Sequence, residues 1–317
     1  MTPSLRIVLF GDGAWAADTA TRLVEAGHSL AAVVLRRQPT TPVLGARARA
    51  LGAAVLQPEQ VNAPDTVEGL RRMAPDLGVS VAYNQILGRG IRAVPRLGCV
   101  NAHAGKLPAY RGRNVINWAI INGETELGLT IHVIDQGIDT GPILRQCTVP
   151  IGWTDTYAEV LARAVRGLPE LVEQTVAALA RGEATPRAQA GLGTYFPGRQ
   201  DGDEWIDWGA SSVRLHNLVR AITRPGPGAL TQLDGQPVRV WSAYWEPSWP
   251  TYLATPGAVV GRERGRGVLV KTGDSTLLVT EVQAGDSAPS VPEWPLGTRL
   301  QSAAVSMSEH TGALAIR

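Results

Sequence analysis

The first 185 residues alternate short apolar runs with helical stretches, and that alternation restricts the chain to few folds. Residues 6–10 (RIVLF) form a compact, partly β-branched run that ends in Gly11, Asp12 and Gly13. Residues 14–26 then have helical composition, with Gly27 placed as a C-cap. Residues 30–35 are a second run of the buried-strand type. Strand, glycine turn, helix and strand open a parallel α/β sheet. The pattern repeats more loosely. Residues 53–56, 77–82, 98–101 and 130–134 read as strands or strand ends. Residues 65–73 and 115–122 read as helices, and 154–180 as one or two more. The expectation is a doubly wound, mostly parallel α/β domain over residues 1–185.

Beyond that point the composition changes. Residues 182–202 are rich in Gly, Pro, Gln and Thr and lack periodicity, so 186–204 reads as a linker. After a helical segment at 211–221, short apolar runs at 238–243, 257–260, 267–271 and 277–282 alternate with turn residues. Regular short strands of this kind predict a small open, OB-like β-barrel over 205–317, with 302–317 a tail or final strand. Two domains also suit a length of 317 residues.

Charge excludes some partners. Lys and Arg number 30 against 28 Asp and Glu, so no polyanion-binding field follows from composition, and DNA is not an expected partner. No apolar run approaches the ~18 residues that span a bilayer. The N-terminal run reads as a strand and not as a signal peptide. Cys99 and Cys147 are the only cysteines and read as buried thiols of a reducing compartment. These features predict a cytoplasmic protein with no membrane or metal partner; a homodimer is compatible with them.

Two segments could carry chemistry. The turn GDGAWA at 11–16 lacks the third glycine of a dinucleotide fingerprint, and Arg36 and Arg37 stand where an acidic residue would bind ribose. It reads as an ordinary strand–helix turn. Residues 98–144 differ. Asn101 and His103 lie two apart at a strand end, so an amide and an imidazole face one crevice. Ligands of open α/β sheets bind there. The strand at 130–134 leads into a glycine-flanked loop with two carboxylates, Asp135 and Asp139, and spacing alone does not choose between them. His132 lies inside that strand and reads as a core residue. An amide, an imidazole and a carboxylate suit acyl transfer between amines. The imidazole takes the amine proton, the amide N–H stabilises the oxyanion, and the carboxylate orients and stabilises the imidazole. With no Ser or Cys nucleophile in the segment, direct transfer is expected.

The same segment resembles the 10-formyltetrahydrofolate-dependent formyltransferases. That family carries N-x-H-x-S-L-L-P-x-Y-R-G, W-A-I-x-x-G-E, T-G-V-T-I-H and D-x-G-x-D-T-G. Here Asn101, His103, Leu107, Pro108, Tyr110, Arg111 and Gly112 match the first. Trp118, Gly123 and Glu124 match the second, Gly128, Thr130 and His132 the third, and Asp135, Gly137, Asp139, Thr140 and Gly141 the fourth. The resemblance runs on through residues 205–208, 215–221 and 225–229 and implies the two-domain fold. It implies Asn101, His103 and Asp139 as the catalytic trio. It also places Tyr83, Gln85, Ile86 and Leu87 on one side of the pterin pocket of the donor, 10-formyltetrahydrofolate. Gln136, Gly137, Ile138 and Asp139 lie on its other side. Gly105 and Lys106 depart from the family's Ser-Leu. With Arg111, Gly112 and Arg113 they are the expected acceptor contacts.

The acceptor amine is the remaining choice. The chain lacks a basic insertion after Arg37, and residues 199–204 (RQDGDE) are acidic where a tRNA-binding linker would carry cations. The Tyr195-Phe196-x-x-Arg199 run resembles nucleotide-sugar N-formyltransferases more closely. A small-molecule amine is therefore expected, a nucleotide-linked amino sugar or a hydroxyornithine-type precursor. Methionyl-tRNA is the alternative acceptor, and a non-catalytic folate-binding module the alternative of another class.

Overall fold

The computed structural model describes residues 3–302, and the main chain there divides into two compact units. The first contains the residues up to Ile120 together with Glu124–Arg199. Its elements in chain order are β1 (Arg6–Gly11), α1 (Gly13–Glu25), β2 (Ser29–Leu35), α2 (Val43–Ala50), β3 (Ala54–Leu56), α3 (Pro64–Arg72) and β4 (Leu77–Val81). There follow α4 (Arg89–Arg92), β5 (Cys99–His103), β6 (Arg111–Gly112), α5 (Val115–Ile121), β7 (Glu126–Val133), β8 (Ile143–Pro150), α6 (Tyr157–Ala180) and β9 (Tyr195–Phe196).

Seven strands form one sheet in the order β3-β2-β1-β4-β5-β7-β8. The first five are parallel, whereas β7 and β8 run antiparallel to their neighbours. Every residue of β4 is buried, as is β1 beyond its first residue, which is why both read as unbroken apolar runs. α1 buries Ala16, Ala17, Ala20 and Leu23, a helical stripe of mostly small side chains. α6 is a single helix despite Pro169: its buried stripe runs from Val160 through Leu168 to Val176 without a break. A capping box closes its first turn, with the Thr156 N–H donating to Glu159 Oε2 at 2.7 Å.

Several elements had no counterpart in the sequence reading, among them β8, α2 and β9. β8 is a half-exposed edge strand whose residues (ILRQCTVP) form no apolar run. Cys147 lies on it and is exposed, which corrects the expectation of two buried thiols; Cys99 on β5 is buried. α2 has little amphipathic contrast, burying only Leu44, Gly45 and Ala48. β9 pairs with β6 in parallel inside the stretch read as linker. Among the described residues no helix is long and apolar enough to cross a membrane.

The second unit holds Ile121–Gly123 and the chain from Gln200 onward. It opens with α7 (Ser212–Ile222). The strands are β10 (Ala229–Leu233), β11 (Gln236–Tyr244), β12 (Val259–Glu263), β13 (Gly267–Lys271), β14 (Thr276–Ala284) and β15 (Leu300–Gln301). They form an antiparallel sheet in the order β12-β13-β14-β11-β10-β15. A bridge between Ala258 and Arg299, and a 2.9 Å bond from the Val259 N–H to Thr298 O, join its two edges. The sheet therefore curls on itself as a small barrel. Trp208 is 2% exposed in its interior, and its indole N–H donates to Thr231 Oγ1 at 2.9 Å. The tail or final strand expected over 302–317 lies, apart from Ser302, outside the described residues.

Candidate active site

The site grows from the carboxyl end of β5. Asn101 and His103 share a face of that strand, and the antiparallel register sets His132 opposite Asn101 and Thr130 opposite His103. The loop from β7 to β8 then returns a carboxylate. Asp135 stays in its own loop, where Oδ1 accepts from the Gly137 N–H (3.0 Å) and the Thr140 hydroxyl (2.6 Å). Asp139, held at φ 54°, turns inward instead. Its Oδ2 accepts from the Gly112 N–H at 2.9 Å and faces His103 Nδ1 at 3.6 Å. Its Oδ1 lies 3.3 Å from His132 Nε2 and 3.5 Å from Asn101 Nδ2. Asn101, His103 and Asp139 thus meet in one cluster, and the geometry separates the two carboxylates that spacing left tied.

His132 belongs to that cluster, which corrects its reading as an ordinary core residue. Its Nδ1–H donates to Val133 O at 2.9 Å, leaving Nε2 toward Asp139 and 3.3 Å from the Asn101 amide nitrogen. The alternation of β7 placed His132 on the face of Thr130. Only the pairing of β7 with β5 could show what that face meets.

Electrostatics follow from burial. Desolvation pushes the His103 imidazole below its ordinary value, opposed by the Asp139 charge and by Tyr110 O, which accepts from Nε2–H at 2.6 Å. Desolvation also pushes the Asp139 carboxyl up. The His132 ring, the His103 charge and the Gly112 N–H outweigh it and bring the carboxyl down to about 2. Asp139 is an anion and His103 is biased toward the neutral form at neutral pH.

Two glycines let the backbone close on this cluster. A Cβ on Gly105 would lie 2.5 Å from both His103 Nε2 and Tyr110 O, so the family's Ser has no room in this arrangement. Gly112 has φ 101°, and a Cβ there would meet Phe196 O at 2.1 Å. Lys106 points elsewhere: its ammonium pairs with the exposed Glu126. The Arg111 guanidinium is bound to Gln189 Oε1 (3.1 and 2.6 Å), and the Gln189 amide donates to Asp139 O and Gly141 O, both at 2.8 Å. Arg113 is exposed, with its N–H on Phe196 O. Gln189 sits in a stretch with no periodicity, and no sequence signal marked it.

The segment expected against the donor follows β4, and Tyr83 and Leu87 pack on the apolar cluster that holds Phe10 and Cys99. Tyr83 packs edge-on to Phe10 at 5.7 Å. Its phenol oxygen is buried without a partner among the described residues, and burial raises its pKa to about 12. Gln85 Oε1 accepts from the Val61 N–H at 2.8 Å, Ile86 is 71% exposed and Leu87 is in the core. A cavity of about 590 Å³ opens beside Ile134, Asp135 and Gln136, with Arg89 and Arg92 on its rim. Gly137 and the 46% exposed Ile138 complete the facing loop.

The sequence matches the formyl transferase family over residues 5–173 and its C-terminal domain over 200–296. It is 35% identical to the methionyl-tRNA formyltransferase of Geobacter sulfurreducens, over 94% of this chain and 95% of that protein. The chain belongs to the formyl transferase family. A second relative of this formyltransferase, the methionyl-tRNA formyltransferase of a Synechococcus strain, is 39% identical over 77% of this chain and 76% of its own. The N-formyltransferase from Helicobacter canadensis, solved with folinic acid and dTDP-3-aminofucose, has the same fold at 18% identity. The TM-score is 0.67, and the match covers 89% of this chain and all of that one.

Proposed function

We propose that this formyltransferase moves the formyl group of 10-formyltetrahydrofolate directly onto an amine, with Asn101, His103 and Asp139 performing the transfer. The observation that carries this reading is their convergence at one strand end, with a depressed carboxylate facing a buried imidazole. The donor supplies a formyl carbon on a nitrogen able to leave. His103 donates through Nε2 to Tyr110 O, so Nδ1 is its lone-pair nitrogen and faces Asp139. A proton from the attacking amine reaching Nδ1 turns that contact into an ion pair, which Asp139 stabilises. His103 then hands the proton to the nitrogen that leaves. The Asn101 amide hydrogens make only long contacts, 3.3 and 3.5 Å, so one is readily redirected to the developing oxyanion. The Gly112 N–H holds Asp139 in place.

The acceptor we favour is a small-molecule amine, a nucleotide-linked amino sugar or a hydroxyornithine-type precursor. The cations after β2 support this. Arg36 is turned inward, pairing with Asp12 at 3.3 Å and donating to Ala82 O, and Arg37 pairs with Glu59. Asp201 and Asp203 are exposed in the stretch where a phosphate backbone would need cations. Methionyl-tRNA is the second reading, favoured by the end-to-end similarity to enzymes named for that acceptor.

A mass-spectrometric screen tests both readings, offering 10-formyltetrahydrofolate with nucleotide-linked amino sugars, hydroxyornithine and charged initiator tRNA. A formylated small amine is expected, with product falling ~10²–10⁴-fold in His103→Ala and Asp139→Ala while tetrahydrofolate binding persists. Formylation of the tRNA alone would overturn the acceptor, and full activity of His103→Ala the mechanism.

A further inference from the structure

A second polar cavity, of about 430 Å³, lies between α1, β8 and α6, and the transfer chemistry does not use it. His28, which joins α1 to β2, lines it and is 4% exposed. Its Nδ1 accepts from the Leu5 N–H at 3.1 Å, so the neutral ring carries its proton on Nε2. Burial pushes its pKa down, against the pull of Glu173, and favours that neutral ring. The Nε2–H is buried and has no partner among the described residues. A buried donor of this kind is costly unless a ligand satisfies it.

Arg145 reaches the same cavity from β8. The next residue, Gln146, donates to Thr130 Oγ1 at 2.8 Å, and Thr130 stands opposite His103. Alternation along β8 therefore turns Arg145 to the reverse face of the sheet, toward α6. Arg145 is exposed, and its guanidinium has no hydrogen-bond or ion-pair partner among the described residues. Gln174, Ala177 and Arg181 line the cavity from one face of α6, and Arg181 is neutralised by Glu183 at 2.7 Å. Glu173 binds Arg22 through Oε2 at 3.0 Å, which leaves Oε1 for a ligand.

These groups call for both signs of charge on one small molecule. His28 and Arg145 need an anion that accepts. Glu173 suits a cation, and so do the last turns of α1 and α6, whose carbonyl ends carry partial negative charge. The same negative groups oppose a phosphate dianion. We propose that the cavity binds a free α-amino acid as its zwitterion, the carboxylate on the His28 Nε2–H and Arg145 and the ammonium on Glu173. Arg145 stands in the rung that crosses Ile131 to Ala102, between Asn101 and His103. The occupant therefore lies on the reverse face of the sheet, apart from the crevice that holds the trio.

Isothermal titration of the whole chain with the twenty common L-amino acids, acetate, methylammonium and inorganic phosphate tests this. At least one amino acid is expected to bind tenfold or more tighter than acetate, methylammonium or phosphate. Its Kd is expected to rise about tenfold in Arg145→Ala, a change at an exposed position, and its advantage over acetate to shrink in Glu173→Gln. The proton NMR signal of the His28 Nε2–H is expected to shift on binding to the wild type. No binding by any amino acid overturns the proposal, as does binding that neither variant weakens. Phosphate binding as tightly as the best amino acid, and lost in Arg145→Ala, also overturns it, because the cavity would then be a plain oxyanion site.

Discussion

At the scale of single residues, the proposed chemistry depends on how closely backbone atoms reach His103. Tyr110 O accepts its Nε2–H at 2.6 Å, and this contact exists because Gly105 leaves the space open. Gly105→Ala would place a methyl 2.5 Å from both partners, and one of them is backbone. We expect kcat to fall about 10–100-fold with the tetrahydrofolate Kd little changed, since the ring and not the cavity moves. Steady-state kinetics paired with binding measurements check this. An equal loss in both quantities would show that the loop also shapes the donor site.

At the scale of elements, a strap of chain braces the Asp139 loop. β9 pairs with β6, Phe196 stacks on Tyr110 at 4.9 Å, and Gln189 ties Arg111 to the carbonyls of Asp139 and Gly141. Gln189→Leu keeps the volume but removes both amide donors and the acceptor for Arg111. The Asp139 carboxylate then loses one support of its geometry while keeping the Gly112 N–H. The expected result is a roughly tenfold lower kcat with a small loss of Tm. Gln189→Glu restores a partner for Arg111 only. If it recovered full activity, the role assigned to the two carbonyl contacts would be wrong.

At the scale of the whole molecule, the buried cluster contributes to acid stability. The Asp139 carboxyl is depressed from 3.8 to about 2 on folding. A depressed acid stabilises the fold above its unfolded value, and the contribution is lost as pH falls through the folded value. It amounts to about 2 kcal/mol, complete above roughly pH 4 and fading toward about pH 2. Urea unfolding of the wild type and Asp139→Asn across this range should show a stability gap that narrows only below about pH 4. A gap constant down to pH 2 would mean that the charge of Asp139 contributes nothing to stability.

The buried parallel strands were legible because each is covered on both faces, so β1, β2 and β4 announce themselves as apolar runs. The i, i+2 spacing of Asn101 and His103 placed both on one face of β5 for the same local reason. β8, α2 and β9 were not legible: their burial is partial or comes from partners far away in the chain. The contents of the site were decided by contacts of the same long range. His132 joins through the register of β7 against β5, and Gln189 through a segment fifty residues past Asp139; Asp139, which spacing left tied with Asp135 and the family resemblance singled out, is turned inward by the loop between β7 and β8. Local pattern determines which face a side chain takes. Which other side chains it meets depends on strand register and loop closure, and those are set only when distant segments pack.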